Sequence, residues 1–206
     1  MQTELTVRWG RGFTSSMEKV RRDGWFAGQV GASVDEFDAI SYQVVVAIAG
    51  APVGLVRTTL GPPSVLQAWS GGRCPLPHGA GVAELTRGVV VPTVRRLGIY
   101  RLAMLESILR LRALGATVAT GAVEPHFVGR RFLAGLGFVD VGEPIPFDDR
   151  PRRGTIAQCL ELQISRAGEA GWSAMRGALL LHLDACGYRV ESDLESSPVE
   201  IHAASA

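Results

Sequence analysis

The chain has 206 residues, 47% of them hydrophobic and 20% charged, with 25 glycines and a formal net charge of +1. That length and apolar content suit one domain with its own core, and the near-neutral balance supplies no field that would gather nucleic acid. No apolar stretch approaches the roughly 20 residues of a membrane span, and Cys74, Cys159 and Cys186 are too scattered for a zinc site or a disulfide framework, so no metal is expected. Residues 1–9 are polar and alternating, without the basic start and apolar run of a secretion signal, and a cytoplasmic protein is expected.

Residues 42–49 form a mostly apolar, β-branched run, Gly50-Ala51-Pro52 supplies a turn, and residues 53–60 make a second strand-like run, so a hairpin is expected. Gly61-Pro62-Pro63 stops it, residues 70–81 read as a Gly/Pro-rich loop, and residues 82–91 as a long strand ending at Pro92. Leu97, Leu102, Leu105, Ile108, Leu109 and Leu114 then recur at helical spacing over 95–114, with Gly115 placed as a C-cap. A buried strand over 116–123 follows, then a helix from Pro125 to about Leu136, a strand beginning at 137–141, a loop over 143–154, a strand over 155–164 and a helix over 168–186. The end of the chain reads as a weakly apolar tail. This order predicts an α+β fold, a mixed sheet with helices on both faces. One domain spans 1–206, with 150–206 adding the last strand, helix and tail.

Two features carry chemistry. Arg95-Arg96-Leu97-Gly98 precedes a helix whose first N–H groups have no intrahelical partner, and two arginines at the positive end of a helix dipole are misplaced unless an anion sits among them. A phosphate cradle is therefore expected there. On the strand over 82–91, simple alternation puts Glu84 and Thr86 on one face and Leu85 and Arg87 on the other. Charges in a central strand are costly to bury alone, so Arg87 should pair with Asp35 or Asp38, either as a purely structural network or as one that also orders a pocket.

The run Glu84-Leu85-Thr86-Arg87-Gly88-Val89-Val90-Val91, leading to Arg95-Arg96-Leu97-Gly98-Ile99-Tyr100, resembles the central strand and phosphate loop of the GNAT superfamily. The segment from Arg130 to Phe138, ending in Leu136-Gly137-Phe138, is similar to the superfamily's helix-to-strand passage, with Leu133 where many members carry a proton-donating tyrosine. Upstream, Gly24-Trp25, Asp35-Glu36-Phe37-Asp38, Tyr42, Gly54-Leu55-Val56-Arg57 and Glu84-Leu85-Thr86-Arg87 follow the order seen in acyl-homoserine-lactone synthases, and N-acyl amino acid synthases are similar in outline. The likeness spans residues 24–142.

It implies a GNAT-like, mostly antiparallel central sheet and transfer of an acyl group from an acyl-phosphopantetheine thioester to the amine of a small metabolite. Arg95, Arg96, Gly98 and Tyr100 would hold the phosphate, and Val89, Val90 and Val91 the pantetheine arm. Trp25, Asp35, Asp38, Arg57 and Arg87 would shape the acceptor side. Glu84, its pKa raised by burial, is the first candidate for the base that deprotonates the amine, and His126 the second. An acyl-carrier protein is the expected donor, ahead of acyl-CoA. The rival readings are an acetyl-CoA-dependent N-acetyltransferase and a non-catalytic acyl-thioester sensor. The helix over 168–186 could pack on the sheet or build a homodimer.

Overall fold

The structure, a computed structural model, describes residues 2–25, 34–149, 152–165 and 169–193, without the side chains of residues 25, 149, 152–154 and 169. Eight strands form one sheet in the order β6-β7-β5-β4-β3-β2-β1-β8. They are β1 (Thr3–Arg11), β2 (Tyr42–Ile48), β3 (Ala51–Leu60), β4 (Val82–Val90), β5 (Val118–Val123), β6 (Val139–Asp149), β7 (Arg152–Gln163) and β8 (Tyr188–Ser192). Five neighbouring pairs are antiparallel, and only β4/β5 and β1/β8 are parallel, which makes this the mixed, mostly antiparallel sheet expected.

The helices are α1 (Ser15–Trp25), α2 (Val65–Ser70), α3 (Ile99–Ala113), α4 (Arg130–Leu136) and α5 (Glu169–Ala185). Strand alternation sorts them onto two faces. Leu55 and Val89 pack with Val20 of α1, whereas their neighbour Val56 joins Ile99, Leu102 and Leu105 of α3. On β7, Ala157 and Cys159 pack with Leu66 of α2, and Leu160 and Leu162 lie in the cluster that contains Leu133 of α4 and Trp172 and Leu183 of α5. Helices α1 and α2 thus cover one face, and α3, α4 and α5 the other. Cys74 and Cys159 face each other in the α2-side cluster, their sulfurs 3.7 Å apart.

Helix α3 is buried nearly all round because it lies between the sheet and α5. Leu102, Ile108 and Leu111 are fully buried, and burying each contributes about 2 kcal/mol. On its outer side Glu106 accepts from Arg176 Nε of α5 at 2.7 Å and from Ser192 Oγ of β8 at 3.2 Å. The C-terminal helix therefore packs within the domain.

Several boundaries differ from the sequence reading. The hairpin turn is Ala49-Gly50, both at positive φ, and Ala51 and Pro52 already pair in β3. Pro125 does not open a helix: residues 124–129 are irregular, with Phe127 N–H bonded to Glu124 O, and α4 begins at Arg130. Residues 143–149, read as a loop, extend β6, and β7 starts at Arg152 because the two strands continue pairing past Ile145↔Ala157. Strands β1 and β8 and helix α1 carry no clear signal in the sequence, and helix α2 is absent from the sequence reading. The tail from residue 194 lies outside the described residues. Among the described residues, no helix is long and apolar enough to cross a membrane.

Candidate active site

Strand β4 breaks its own alternation at the centre of the sheet. Arg57 pairs with Thr86 and Leu55 with Val89, so the register against β3 shifts between them, and Arg87 takes a φ of +53°. This bulge turns Arg87 onto the same face as Glu84 and Thr86, correcting the expectation that it shares a face with Leu85. There it donates from Nη2 to Asp35 Oδ2 at 3.0 Å.

Arg87 is one of three buried arginines around two aspartates. Arg21, fully buried on α1, grips Asp38 with both terminal nitrogens at 2.7 Å. Arg57 donates from Nε to Thr86 Oγ1 at 2.9 Å, from Nη1 to Asp38 Oδ1 at 3.3 Å and also to Asp35 Oδ1. Asp35 and Asp38 additionally close a short 3-10 turn, Asp35 accepting from Phe37 N–H at 3.0 Å and Asp38 from Asp35 N–H at 3.1 Å. Burial pulls the Arg21 guanidinium below its ordinary pKa, an effect its pair with Asp38 opposes. Burial also works to raise the Asp38 carboxyl, but the hydrogen bonds and charge of Arg21, with Arg57, outweigh it and hold Asp38 below its usual range. Trp69 of α2 lies under two of these guanidinium groups, 5.2 Å from Arg57 and 4.8 Å from Arg87.

On the other side of β4 the sheet opens. Strands β4 and β5 pair only through Val82–Glu84 and Val118–Thr120, after which they part. A cavity of about 290 Å³ fills the gap, lined by Trp69, Leu85, Met104, Leu133, Phe147 and Ala157 among others. Its walls come from clusters on both faces, so it passes through the sheet. A second, wider groove of about 1090 Å³ runs along Val89 and Val90 to Arg95, Arg96 and Gly98, with Arg101 and Arg131 on its sides and Leu179 and His182 of α5 beyond. Gly88, Tyr100 and Phe127 line both spaces and form their junction.

Arg95, Arg96, Gly98 and Tyr100, the residues expected at a phosphate, all line the wider groove. Gly98 caps α3 in the left-handed region at φ +89°, and no side chain caps the helix start. A Cβ at Gly98 would lie 2.6 Å from Leu179 Cδ1, so glycine also allows α5 to close over this end. Arg95 is steadied by donating from Nη2 to Gly24 O at 2.7 Å, while Arg96 is exposed. The Val91 N–H is bonded to Val53 O at 2.9 Å, so by strand alternation Val90 is the residue whose backbone groups face the open edge. These residues fit a phosphopantetheine arm.

The two candidate bases are placed differently. Glu84 is 3% exposed and lines neither space. Its carboxylate accepts from Ser64 Oγ, from Val65 N–H at 2.6 Å and from Leu66 N–H at 3.1 Å, which makes it the anchor for the start of α2. Burial pushes its pKa up, against the opposing pull of those hydrogen bonds. His126 sits exposed on the β5–α4 connection and also lines neither space, unlike its neighbours Glu124 and Phe127. Asp35, Asp38, Arg57 and Arg87 are brought together as expected, and the side chain of Trp25 lies outside the described residues.

Tyr100, expected beside the phosphate, turns its ring instead toward Gly88 and meets Phe127 and Phe132 edge-on at 5.8 and 6.4 Å. Sequence reasoning missed Arg21 and Trp69. Trp69 had a usable signal, since Ser64 and Gly71 bracket its helix as N- and C-cap residues. Arg21 had none, because nothing in a polar segment distinguishes a buried arginine.

No family model matches this sequence, and no curated protein matches it. Solved structures do. The acyl-homoserine-lactone synthase LasI is 18% identical, with 84% of this chain and 96% of that one covered and a TM-score of 0.63. The CoA-dependent acyl-homoserine-lactone synthase BjaI, solved with SAM and isopentyl-CoA, is 14% identical over 92% of this chain and 93% of its own, at a TM-score of 0.61. An acetyltransferase from Bacillus subtilis in complex with CoA is 13% identical over 77% and 98%, at 0.52. The chain thus has a GNAT-like fold, similar to that of acyl-homoserine-lactone synthases.

Proposed function

We propose that the protein is an N-acyltransferase that moves an acyl group from a phosphopantetheine thioester to the amine of a small metabolite. The observation that carries this reading is the junction of the two spaces at the β4 bulge. A groove with an arginine-rich, uncapped helix start suits a phosphorylated arm, and an apolar cavity beyond it suits an acyl chain. A cavity of about 290 Å³ is far larger than an acetyl methyl requires, which favours a longer acyl group over acetyl. The donor is an acyl-carrier protein in preference to free CoA: Arg95, Arg96, Arg101 and Arg131 around the groove complement an acidic carrier surface. The acceptor enters beside Arg87 and Trp69, which line the apolar cavity and rest on the charged network. In this reading Glu84 holds α2, and through it Trp69, at that wall. Neutral amine attacks the thioester carbonyl directly, without a covalent enzyme intermediate.

The test is product mass spectrometry after incubation with acyl-carrier and acyl-CoA thioesters of graded chain length, together with S-adenosylmethionine and a mixture of amino acids. An N-acylated product is expected, formed faster from the carrier thioester. Equal turnover of acyl-CoA removes the carrier preference, and thioester binding without product across the panel turns the reading toward a sensor.

A further inference from the structure

The reaction proposed above leaves a sulfur that must acquire a proton, and the usual donor position on α4 holds Leu133, which lines the apolar cavity with a hydrocarbon side chain. A thioester whose arm lies in the arginine-rich groove and whose acyl chain lies in the apolar cavity must place its C–S bond where the two meet. That junction is built from Gly88, Tyr100 and Phe127. Only one of the three carries a hydroxyl.

The ring of Tyr100 is held for this place. Phe127 and Phe132 meet it edge-on, and Gly88 lets it approach the strand: a Cβ there would lie 2.8 Å from Tyr100 Cε2 and 3.6 Å from its hydroxyl oxygen. The hydroxyl therefore lies against the bulge of β4, and among the described residues it makes no hydrogen bond to protein. Tyr100 is partly buried, and a hydroxyl without a protein partner at this junction is a donor that a ligand atom can satisfy. Burial also raises the phenol pKa, keeping the group protonated at neutral pH.

We propose that Tyr100 is the proton donor to the leaving thiolate, supplied from the first turn of α3 in place of the residue absent at Leu133. This rests on the N-acyltransferase reading. The amine nitrogen bonds to the carbonyl carbon, the C–S bond breaks, and the sulfur leaves with the bonding pair and takes the Tyr100 proton. The nitrogen, on becoming an amide, sheds one proton, which returns through water to the tyrosinate. The products are an amide and a free thiol, with no net change at the enzyme.

The experiment compares wild type with Tyr100→Phe, which keeps the ring and removes only the hydroxyl. Two octanoyl thioesters serve as probes, octanoyl-CoA and S-(4-nitrophenyl) thiooctanoate, with S-adenosylmethionine and mixed amino acids as acceptors and uncatalysed aminolysis subtracted. 4-Nitrothiophenol is far more acidic than the CoA thiol, so its thiolate leaves without needing a proton. Tyr100→Phe should lower kcat on octanoyl-CoA on the order of 100-fold with KM unchanged, and leave turnover of the aryl thioester within about twofold. An equal loss on both probes assigns Tyr100 to packing and overturns the proposal, as does no loss on octanoyl-CoA. Wild type inactive on both probes and on the octanoyl-carrier thioester overturns the transferase reading itself.

Discussion

The two sides of β4 solve opposite problems. Toward α1 and the 3-10 turn, Arg21, Arg57 and Arg87 interlock with Asp35 and Asp38, so that each carboxylate is held from more than one direction. Toward β5 the strand has no ladder partner beyond Glu84, and the space there is bounded mostly by apolar side chains. A network of directional bonds tolerates one geometry, whereas a hydrophobic cavity tolerates many occupants of suitable size. One strand thus presents a rigid wall on one side and an adaptable room on the other, and the bulge at Arg87 marks the boundary.

The largest effect should come from breaking the wall. Asp38→Ala leaves Arg21 buried without its bidentate partner, and a loss of about 3–5 kcal/mol is expected in urea unfolding. Acid should weaken the same contact. The Asp38 pKa is lowered by folding, so below the ordinary value of 3.8 the unfolded chain binds the proton more readily. Stability from this pair is complete above that pH and is lost as pH falls through the lower folded value. Asp38→Asn should flatten that acid limb of the stability profile, and an unchanged limb would show the pair to contribute little.

A middle-sized effect is expected at Glu84, which stands between wall and room. Glu84→Gln puts an amide donor against N–H and O–H donors at the start of α2, and should cost about 1–3 kcal/mol, read as a lower urea midpoint. Its folded pKa is raised, so ionisation costs stability as pH rises from about 4.5 through that value. The Gln variant should lack this decline. Unaltered stability with a large fall in kcat would instead return Glu84 to the role of base.

The smallest effect belongs to the room. Ala157→Leu fills part of the apolar cavity from β7, and should move preference toward shorter acyl chains, with about 1–3 kcal/mol of discrimination per methylene lost and little change in melting temperature. A competition between hexanoyl and decanoyl thioesters reads this directly. Unshifted preference would place the chain elsewhere.

Legibility in the sequence follows the same divide. The run from β4 to β6 was readable because its helices and strands bury regular apolar faces, as the spacing from Leu102 to Leu111 shows. Helix α1 was not, because its inward face is Val20 and a charged residue, Arg21, which no hydrophobic period records. Strand β8, Tyr188–Ser192, is a sheet edge whose five residues alternate between partly buried and exposed. In the site, the grouping of Asp35, Asp38, Arg57 and Arg87 was legible as charge needing partners. The face taken by Arg87 was not, since a single positive φ overturns the alternation on which such readings depend. Nor was the orientation of Tyr100, which is decided by Gly88 and by two phenylalanines distant in the chain.

The place of β8 has a consequence for how this molecule is made. The sheet lays it parallel to β1, Thr3 beside Tyr188, so β1 keeps one edge unpaired until almost all of the described chain has been synthesised. Helix α5, which walls the arginine-rich groove, arrives in the same late stretch. Pairings this distant in sequence form slowly, because chain closure must precede any gain from contact. During synthesis the arginine-rich groove is therefore among the last features to close.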